Sequence, residues 1–113
     1  MDAPIPADWR QAVCRLLSYH SLAHVSVCQR ALREWRALFP GAFCCELFDV
    51  FLKVLSNPAL AGRSVSTMSE PGSAYEFMFE HQGRLIYGKV GLLPGAEKAI
   101  IYSAHRPLKG QNL

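Results

Sequence analysis

Five side chains with reactive groups fall at alternating positions in the last third of the chain. They are Glu76, Tyr87, Lys89, Ser103 and His105. A carboxylate or an imidazole can take a proton from a hydroxyl, and an ammonium group can neutralise a phosphate. An unperturbed histidine titrates near pH ~6.5, so His105 can act as acid or base close to neutral pH. Together these groups supply what metal-free cleavage of RNA needs, because RNA carries its own nucleophile, the 2′-hydroxyl.

Alternation of apolar and polar residues predicts three strands that carry these groups. The predicted strands are 75–80, 85–92 and 99–104. A tight two-residue turn at Gln82-Gly83, in which the glycine supplies a positive φ, joins the first two strands. The register that follows from this turn places Glu76 directly opposite Lys89.

The two faces of this predicted sheet differ in character. Met78 lies opposite Tyr87 on the face of Glu76, while the apolar residues fall on the other face: Phe77, Phe79, Ile86 and Gly88. The next hairpin is expected to keep the same parity, because a shift by one residue would bury charge. The open face is then predicted to hold Lys89, Ile101, Ser103 and His105. The helix-packed face is predicted to hold Val90, Ile100 and Tyr102. Gly88 and Gly91 inside a strand indicate a bulge or a close approach of another part of the chain.

The first half of the chain is predicted to be helical over 8–55, because its apolar residues recur with helical spacing. Three stretches show this spacing: one from about Trp9, one at 26–38 and one at 43–55. The third stretch is apolar nearly all round, so we expect it to pack against the sheet.

The order of these segments predicts one α+β domain over 1–113. About three N-terminal helices pack on one face of a three- to four-stranded antiparallel sheet that extends over 62–106. The β-branched segment at 63–68 precedes a turn-rich loop and is expected at the edge of the sheet. A sheet edge is a natural docking site for a protein partner.

The composition is that of a packed globular chain. Of 113 residues, 50% are hydrophobic and 19% are charged, which argues against disorder. No apolar run approaches the ~18 residues of a membrane span, and the N-terminus lacks a basic-then-apolar export signal. A cytoplasmic location without membrane contact is therefore expected. The net charge is +3, and five basic residues stand against one acid from Arg84 onward, a bias compatible with phosphate binding.

The cysteine and histidine spacings do not predict a metal site. Cys44 and Cys45 are adjacent, and no C-x-x-C spacing occurs. We interpret the cysteines as small buried apolar residues in a reducing compartment. His20 and His24 have i, i+4 spacing without a third ligand, and we interpret them as structural or surface residues. No metal and no cofactor are expected.

Each candidate residue also has a purely structural interpretation. An isolated cross-strand pair such as Glu76 and Lys89 is more often an ion pair worth ~0.2–1 kcal/mol than a catalytic unit. Tyr87 suits a half-buried strand position, which aromatic residues favour. His105, taken alone, suits an ordinary strand end.

The order of the segments resembles that of the MqsR mRNA-interferase toxins, members of the wider RelE/barnase-like ribonuclease class. The similarity covers residues 31–104. It rests on an apolar helix (FCCELFDVFLKVL), a basic residue opening a Ser/Thr-rich strand (RSVSTMSE), an aromatic-acid strand (YEFMF), and the segments IYGKV and AIIYS. The resemblance implies a RelE/MqsR-like fold and sequence-selective cleavage of mRNA, either free or on the ribosome. It also implies neutralisation by a cognate protein antitoxin.

The resemblance assigns roles to single positions of this sequence. Arg63 takes the place of a basic strand residue, which is lysine in the family, and Tyr87 matches the family's tyrosine. Lys89 matches the lysine that follows this tyrosine. Two positions depart from the pattern: Glu76 stands where the family has glutamine, and His105 where it has a C-terminal lysine. These departures move the site from lysine-rich electrostatics toward acid–base chemistry.

The first hypothesis is therefore a metal-independent endoribonuclease toxin, with Glu76 and His105 as the acid–base pair. Its candidate catalytic residues are Glu76, Tyr87, Lys89, His105 and Arg63. Its candidate RNA-binding residues are Lys89, Ser103, Arg106 and Lys109. The alternative is a non-catalytic module on the same scaffold that binds RNA or a protein, and a third hypothesis is a structural or phage-related protein without activity. A homo-oligomer is compatible with each of them.

Overall fold

The residues that the structure describes contain three helices and six strands. The structure is a computed structural model, and it describes residues 3–65, 73–95 and 97–108. The helices are α1 (Ala7–Ser18), α2 (Gln29–Leu38) and α3 (Cys44–Leu55). The strands are β1 (Ala3–Pro4), β2 (Val25–Val27), β3 (Ala61–Val65), β4 (Ser73–His81), β5 (Arg84–Leu92) and β6 (Ala99–His105). None of these described helices has the length and apolar character needed to cross a membrane.

The strands form one mixed sheet in the order β1-β3-β4-β5-β6-β2. β2 runs parallel to β6, and the other neighbouring strands are antiparallel. The predicted α+β class with three helices is confirmed. The predicted antiparallel sheet of three to four strands is wrong. The short strands β1 and β2 lie at opposite edges of the sheet, and β2 is parallel to its neighbour β6.

The short strand β2 lies in the region 8–55 that was predicted to be helical, and it overlaps the start of the helical stretch predicted at 26–38. Its sequence, Val-Ser-Val, is β-branched at both ends and pairs with β6 from Val25 opposite Ala99 to Val27 opposite Ile101. Three residues are too few to show a period, so the pattern of the sequence does not reveal the strand. As a result α2 begins at Gln29 rather than at 26, with Cys28 in an extended conformation before it.

Helix α3 packs against the sheet, as its apolar surface predicts. The ring of Phe51 meets the rings of Phe77 and Phe79 edge-on, with centroids 5.9 Å and 5.5 Å apart. Such edge-to-face pairs stabilise a core beyond the area they bury. From α2, the buried Trp35 stacks on His81 at the end of β4. All of these side chains lie on one face of the sheet, so the other face is left for polar groups.

The first hairpin has the predicted register. Glu76 lies opposite Lys89, and the ladder continues to His81 opposite Arg84. The turn has positive φ at both central residues, 52° at Gln82 and 76° at Gly83. Positive φ at both positions defines a type I′ turn, whose twist matches that of the flanking strands. The glutamine therefore adopts the left-handed conformation as well as the glycine.

The second hairpin departs from the predicted parity. A bulge at Lys89/Val90 leaves Tyr102 as the extra residue of β6, between Ser103, which pairs with Lys89, and Ile101, which pairs with Val90. An extra residue shifts all later side chains to the opposite face. Ile101, predicted on the open face, is therefore fully buried in the core.

The same bulge moves two residues that were predicted to face the helices. Ile100 pairs with Gly91 on the open face. The ring of Tyr102 also lies there, because a Cβ added at Gly91 would come within 2.6 Å of its Cε2 atom. Gly91 thus leaves space for the ring of Tyr102, and it lies next to the bulge.

The segment predicted as an edge strand at 63–68 is displaced along the chain. β3 covers Ala61–Val65, and residues 66–68 lie outside the described residues. The strand is also not at the edge over its whole length, because β1 pairs with Ala61 and Gly62. Proline at position 4 suits this outermost strand, where its missing N–H disrupts no ladder.

An added methyl group at Gly88 would press on buried rings of the core. A Cβ there would lie 2.9 Å from Cε2 of Phe77 and 3.3 Å from Cζ of Phe51. We expect Gly88→Ala to lower the free energy of unfolding by ~1–3 kcal/mol, because both rings are buried and neither can move freely. Urea denaturation measures this difference, with Glu80→Ala on the exposed face as a control that changes stability by less than ~0.5 kcal/mol. Equal effects of the two substitutions would contradict the packing described for α3.

Candidate functional site

A row of polar side chains crosses four strands on the open face of the sheet. Arg63 of β3 lies opposite Glu76 of β4, Glu76 opposite Lys89 of β5, and Lys89 opposite Ser103 of β6. All four residues are partly exposed. Side chains directly opposite each other on neighbouring strands have Cβ atoms about 4.5–5.5 Å apart. Glu76 thus stands between two cationic residues, and Lys89 stands between the carboxylate and the hydroxyl.

A second row beside the first contains two aromatic groups. Tyr87 lies opposite His105, and their rings stack with centroids 5.3 Å apart and planes 28° apart. Only 3% of Tyr87 and 5% of His105 are exposed. The structure therefore brings these two predicted residues together, but it buries them, whereas the sequence predicted them on an open surface.

The hydroxyl of Tyr87 connects the two rows by donating a short hydrogen bond to Oε2 of Glu76. Burial raises the pKa of Tyr87 above its usual value of 10.0, and the hydrogen bond to Glu76 and the charge of Glu76 raise it further. The positive charge of Arg63 acts weakly in the opposite direction. The phenol therefore stays protonated and acts as a hydrogen-bond donor that orients one oxygen of the carboxylate.

The cross-strand pair of Glu76 and Lys89 is not an ion pair. Within the described ranges, no nitrogen–oxygen distance of 4 Å or less joins these two side chains. The carboxylate of Glu76 is held by Tyr87 instead. The structural interpretation of Glu76 and Lys89 as a simple salt bridge therefore does not apply, and the ammonium group of Lys89 remains available to an anion.

The tautomer of His105 follows from its hydrogen bond. Its Nδ1 atom lies 2.6 Å from the backbone carbonyl oxygen of Arg106. A carbonyl oxygen only accepts hydrogen bonds, so Nδ1 carries the hydrogen. The remaining nitrogen, Nε2, is the only atom of this ring that can exchange a proton with another group. Very little of the ring is exposed, and it stacks on Tyr87.

The remaining RNA-binding candidates lie outside these two rows. Arg106 is exposed just beyond the end of β6, and it shares a small cavity with His105, Leu108 and residues of α2. Lys109 lies outside the described residues. The structure thus unites Arg63, Glu76, Lys89 and Ser103 in one row, whereas Arg106 lies beside α2 beyond the end of β6.

Tyr102 is the one open-face aromatic residue that sequence reasoning assigned to the core. The bulge places it next to the row formed by Lys89 and Ser103, with its ring against Gly91. It is partly exposed. The signal for this placement was the glycine inside β5, but a glycine does not tell which neighbouring side chain fills the space above it.

The two histidines with helical spacing have separate structural contacts. His20 Nε2 lies 2.5 Å from Oδ1 of Asp49, and the ring of His24 packs against Tyr19. Across the residues that the structure describes, no three His, Cys, Asp or Glu side chains are grouped to hold a metal ion.

Comparisons of the chain with models of protein families, with curated proteins and with solved structures find no match. The function of the open face is therefore argued from its geometry and chemistry.

The buried phenol predicts a specific dependence of stability on pH. Because the folded state raises the pKa of Tyr87, its stabilising contribution is complete below the usual tyrosine value of about 10 and is lost at higher pH. We expect the difference in free energy of unfolding between the wild type and Tyr87→Phe to be constant below about pH 10 and to fall above it. Urea denaturation at a series of pH values measures this difference, in which the contributions of the other tyrosines cancel. A difference that stays constant above about pH 10 would show that Tyr87 ionises as readily in the folded protein as in the unfolded chain.

Proposed function

We infer that the open face of the sheet cleaves RNA without a metal, and that the protein is a cytoplasmic endoribonuclease toxin of the MqsR-like or RelE-like kind. The observation that supports this proposal is the row of Arg63, Glu76, Lys89 and Ser103, in which a carboxylate lies between two cationic residues on neighbouring strands. A 2′-hydroxyl next to a phosphate needs this combination, a base flanked by positive charge.

In the proposed reaction the carboxylate of Glu76 takes the proton of the 2′-hydroxyl. The 2′-oxygen attacks the adjacent phosphorus, and the bond from phosphorus to the 5′-oxygen of the next nucleotide breaks. The ammonium group of Lys89 stabilises the negative phosphorane oxygens and donates a proton to the leaving 5′-oxygen. The products are a 2′,3′-cyclic phosphate and a free 5′-hydroxyl. Arg63 and Ser103, at the two ends of the row, bind the phosphate backbone.

The hydrogen bond from Tyr87 has a defined purpose in this reaction. The hydroxyl occupies Oε2 of Glu76, so Oε1 is the oxygen that can accept the proton of the substrate. Because the raised pKa keeps the phenol protonated, the bond persists over the pH range in which the carboxylate is ionised. Tyr87 is thus a positioning residue. Its near-complete burial leaves no ring surface for stacking on a base.

His105 has a different role in this proposal from the one that the sequence predicts. A proton donor must reach the leaving oxygen, but only 5% of His105 is exposed. Its ring instead covers one side of Tyr87 and is itself fixed by the backbone carbonyl of Arg106. We therefore assign His105 to positioning Tyr87, and through it Glu76, rather than to acid catalysis.

A second candidate function is an RNA-binding module without catalysis on the same face. The burial of Tyr87 and His105 favours this candidate, because it removes two of the five predicted reactive groups from direct contact with RNA. In that case Arg63, Lys89 and Arg106 bind phosphates, and binding weakens steeply with salt while the RNA stays intact.

The proposed toxin has a cognate protein antitoxin as its partner. The α+β architecture, with the helices on one face of the sheet and the polar row on the other, is compatible with the resemblance to MqsR-like toxins. A ribonuclease with an accessible site on an open sheet face requires such an inhibitor, since uncontrolled cleavage of mRNA stops growth.

The decisive test is cleavage of a model RNA in EDTA by Glu76→Gln and the wild type. Glutamine keeps an oxygen that accepts the hydrogen bond of Tyr87 but cannot take a proton, so we expect the rate to fall by ~10²–10⁴-fold. Lys89→Ala is expected to fall similarly, and both variants are expected to lose the arrest of growth on expression. Analysis of the product ends should find 2′,3′-cyclic phosphates.

Two matched substitutions control this experiment. Glu46→Gln changes an exposed carboxylate in the first turn of α3, and Lys98→Ala removes an ammonium group near the start of β6. Both are expected to retain the wild-type rate. RNA that stays intact with the folded wild-type protein would contradict the proposed ribonuclease activity. Salt-sensitive binding without cleavage would support the non-catalytic RNA-binding module instead.

The role of His105 is tested by His105→Phe. Phenylalanine keeps a ring that stacks on Tyr87 but cannot transfer a proton. If His105 only positions Tyr87, the variant retains most of the wild-type rate, and the pH profile of cleavage keeps its shape. A loss of ~10²-fold or more together with a missing limb of the pH profile would instead make His105 a member of the acid–base pair, as the sequence predicts.

A further inference from the structure

The open face of the sheet continues beyond its polar row as a strip without charge. The polar row consists of Arg63, Glu76, Lys89 and Ser103. One step further along the strands, on the same face, the residues that lie opposite each other are all uncharged. We call them the uncharged strip, and they are Val65, Ala74, Gly91, Ile100 and Ser26. The polar row therefore lies between this strip and the buried rings of Tyr87 and His105.

The ring of Tyr102 lies over the uncharged strip. Tyr102 is the extra residue of the bulge in β6. A Cβ added at Gly91 would lie 2.6 Å from Cε2 of Tyr102 and 3.4 Å from both its Cζ and its hydroxyl oxygen. The outer end of the ring is therefore the part that covers Gly91, and the side chain extends across the strip toward β5.

Tyr102 is also accessible, unlike the other rings on this face. It is partly exposed, whereas only 3% of Tyr87 and 5% of His105 are exposed. Of the aromatic rings on the open face of the described strands, only that of Tyr102 is reached by solvent to this extent. It is thus the ring of this face on which a planar ligand can stack.

The ring lies close to the groups that are proposed to bind phosphate. Gly91 follows Lys89 by two residues on the same face of β5, and such neighbours are about 6.6–6.8 Å apart. Tyr102 itself directly precedes Ser103, which lies opposite Lys89. The ribose that joins a phosphate to its base spans a distance of this order. A nucleotide with its phosphate at Lys89 therefore reaches the ring of Tyr102 with its base.

The charges of the two rows match the two parts of a nucleotide. The phosphate is an anion, and it is attracted by Arg63 and Lys89 in the polar row. The base is planar and uncharged, and the strip beside that row contains no charged residue. Covering the strip with a base thus removes no charged side chain of the strip from water, which would be costly. Stacking on an aromatic ring tolerates any base, because every base has a π-face.

We propose that Tyr102 is the base-binding residue of this face and stacks on an unpaired base of single-stranded RNA, whose phosphate lies at Lys89 and Ser103. Ile100, which is partly exposed in the same strip, contacts the edge of the base. The inference rests on the proposed function, because it takes the polar row as the phosphate-binding part of an RNA site. It names single-stranded RNA as the substrate, since neighbouring base pairs cover the faces of a base in a duplex.

The probe is a pair of fluorescent strands that cannot be cleaved. One is a 2′-O-methyl oligouridine, in which the nucleophilic hydroxyl is blocked, and the other is an abasic strand with the same number of phosphates. Fluorescence anisotropy measures the dissociation constant of each strand, and the ratio of the two constants is the base preference. We expect the wild type to bind the oligouridine more tightly by roughly 5- to 150-fold, the usual effect of stacking one base on an aromatic ring.

Substitutions of Tyr102 separate the ring from its hydroxyl. Tyr102→Phe keeps the ring and is expected to keep the base preference. Tyr102→Leu keeps an apolar side chain without a ring, and it is expected to bind both strands with nearly the affinity of the wild type for the abasic strand. That unchanged affinity shows that the variant is folded. Lys89→Ala is expected to weaken the binding of both strands equally. Tyr19→Leu, a matched change of an exposed tyrosine after α1, is expected to bind like the wild type.

Cross-linking locates the base without any substitution in the protein. Irradiation of the wild type with an oligouridine that contains 5-iodouridine couples the base to an adjacent aromatic side chain, and mass spectrometry should find the cross-link at Tyr102. Four results would each overturn the proposal: a base preference of the wild type below about fivefold, a preference that folded Tyr102→Leu retains, a preference that Tyr102→Phe loses, or a cross-link confined to other residues.

The same measurements distinguish this proposal from the proposed ribonuclease. Cleavage of a model RNA by a wild type that shows no base preference would overturn the role of Tyr102 and leave the ribonuclease in place. A base preference that depends on Tyr102, with model RNA that stays intact, would support the role of Tyr102 and contradict the ribonuclease. Failure of the wild type to bind either strand would overturn the role of Tyr102.

Discussion

Burial of the Phe77 and Phe79 rings against Phe51 is the interaction that fixes the opposite face of the sheet. Side chains alternate between faces along a strand, so holding these two rings in the core forces Glu76 outward. Gly88 supports this arrangement because it leaves space for the Phe77 ring between strand and helix. A slip by one residue would expose two phenylalanines and bury a carboxylate, which makes the register of the polar row as stable as the core itself.

The polar row is stabilised by neighbouring groups on the same face of the sheet that solvent hardly reaches. The rings of Tyr87 and His105 stack on each other. The hydroxyl of Tyr87 donates a hydrogen bond that orients the carboxylate of Glu76. A hydrogen bond in a buried environment is stronger than one in water, and it costs no reorganisation when a ligand binds. The carboxylate of Glu76 is thus oriented by a buried group. This arrangement explains how a sheet face without a deep cavity can hold a carboxylate in one orientation.

The sequence predicted the parts of this structure that depend on local rules. The turn at Gln82-Gly83 and the alternation of the two flanking strands set the pairing of Glu76 with Lys89, and both features are readable from neighbouring residues. The strand β2 was not predictable, because three residues show no period and its pairing with β6 is remote in sequence. The bulge at Tyr102 was indicated only by two glycines, Gly88 and Gly91, on another strand. The burial of His105 was missed because alternation assigns a face but does not tell how deeply a side chain lies within it.

Strand β4 presents different groups along its length, because β3 pairs with only part of it. Each even-numbered residue of β4 sends its side chain to the open face and its backbone groups toward β3. At Glu76 the backbone groups are used by β3, so only the carboxylate is available to a ligand. At Glu80, beyond the end of β3, the backbone groups themselves are available. The difference between the two glutamates arises from the turn at 57–60, whose hydrogen bonds stop β3 from extending. One short turn thus decides which groups of this strand face solvent, the carboxylate side chain at one end and the backbone N–H and C=O at the other.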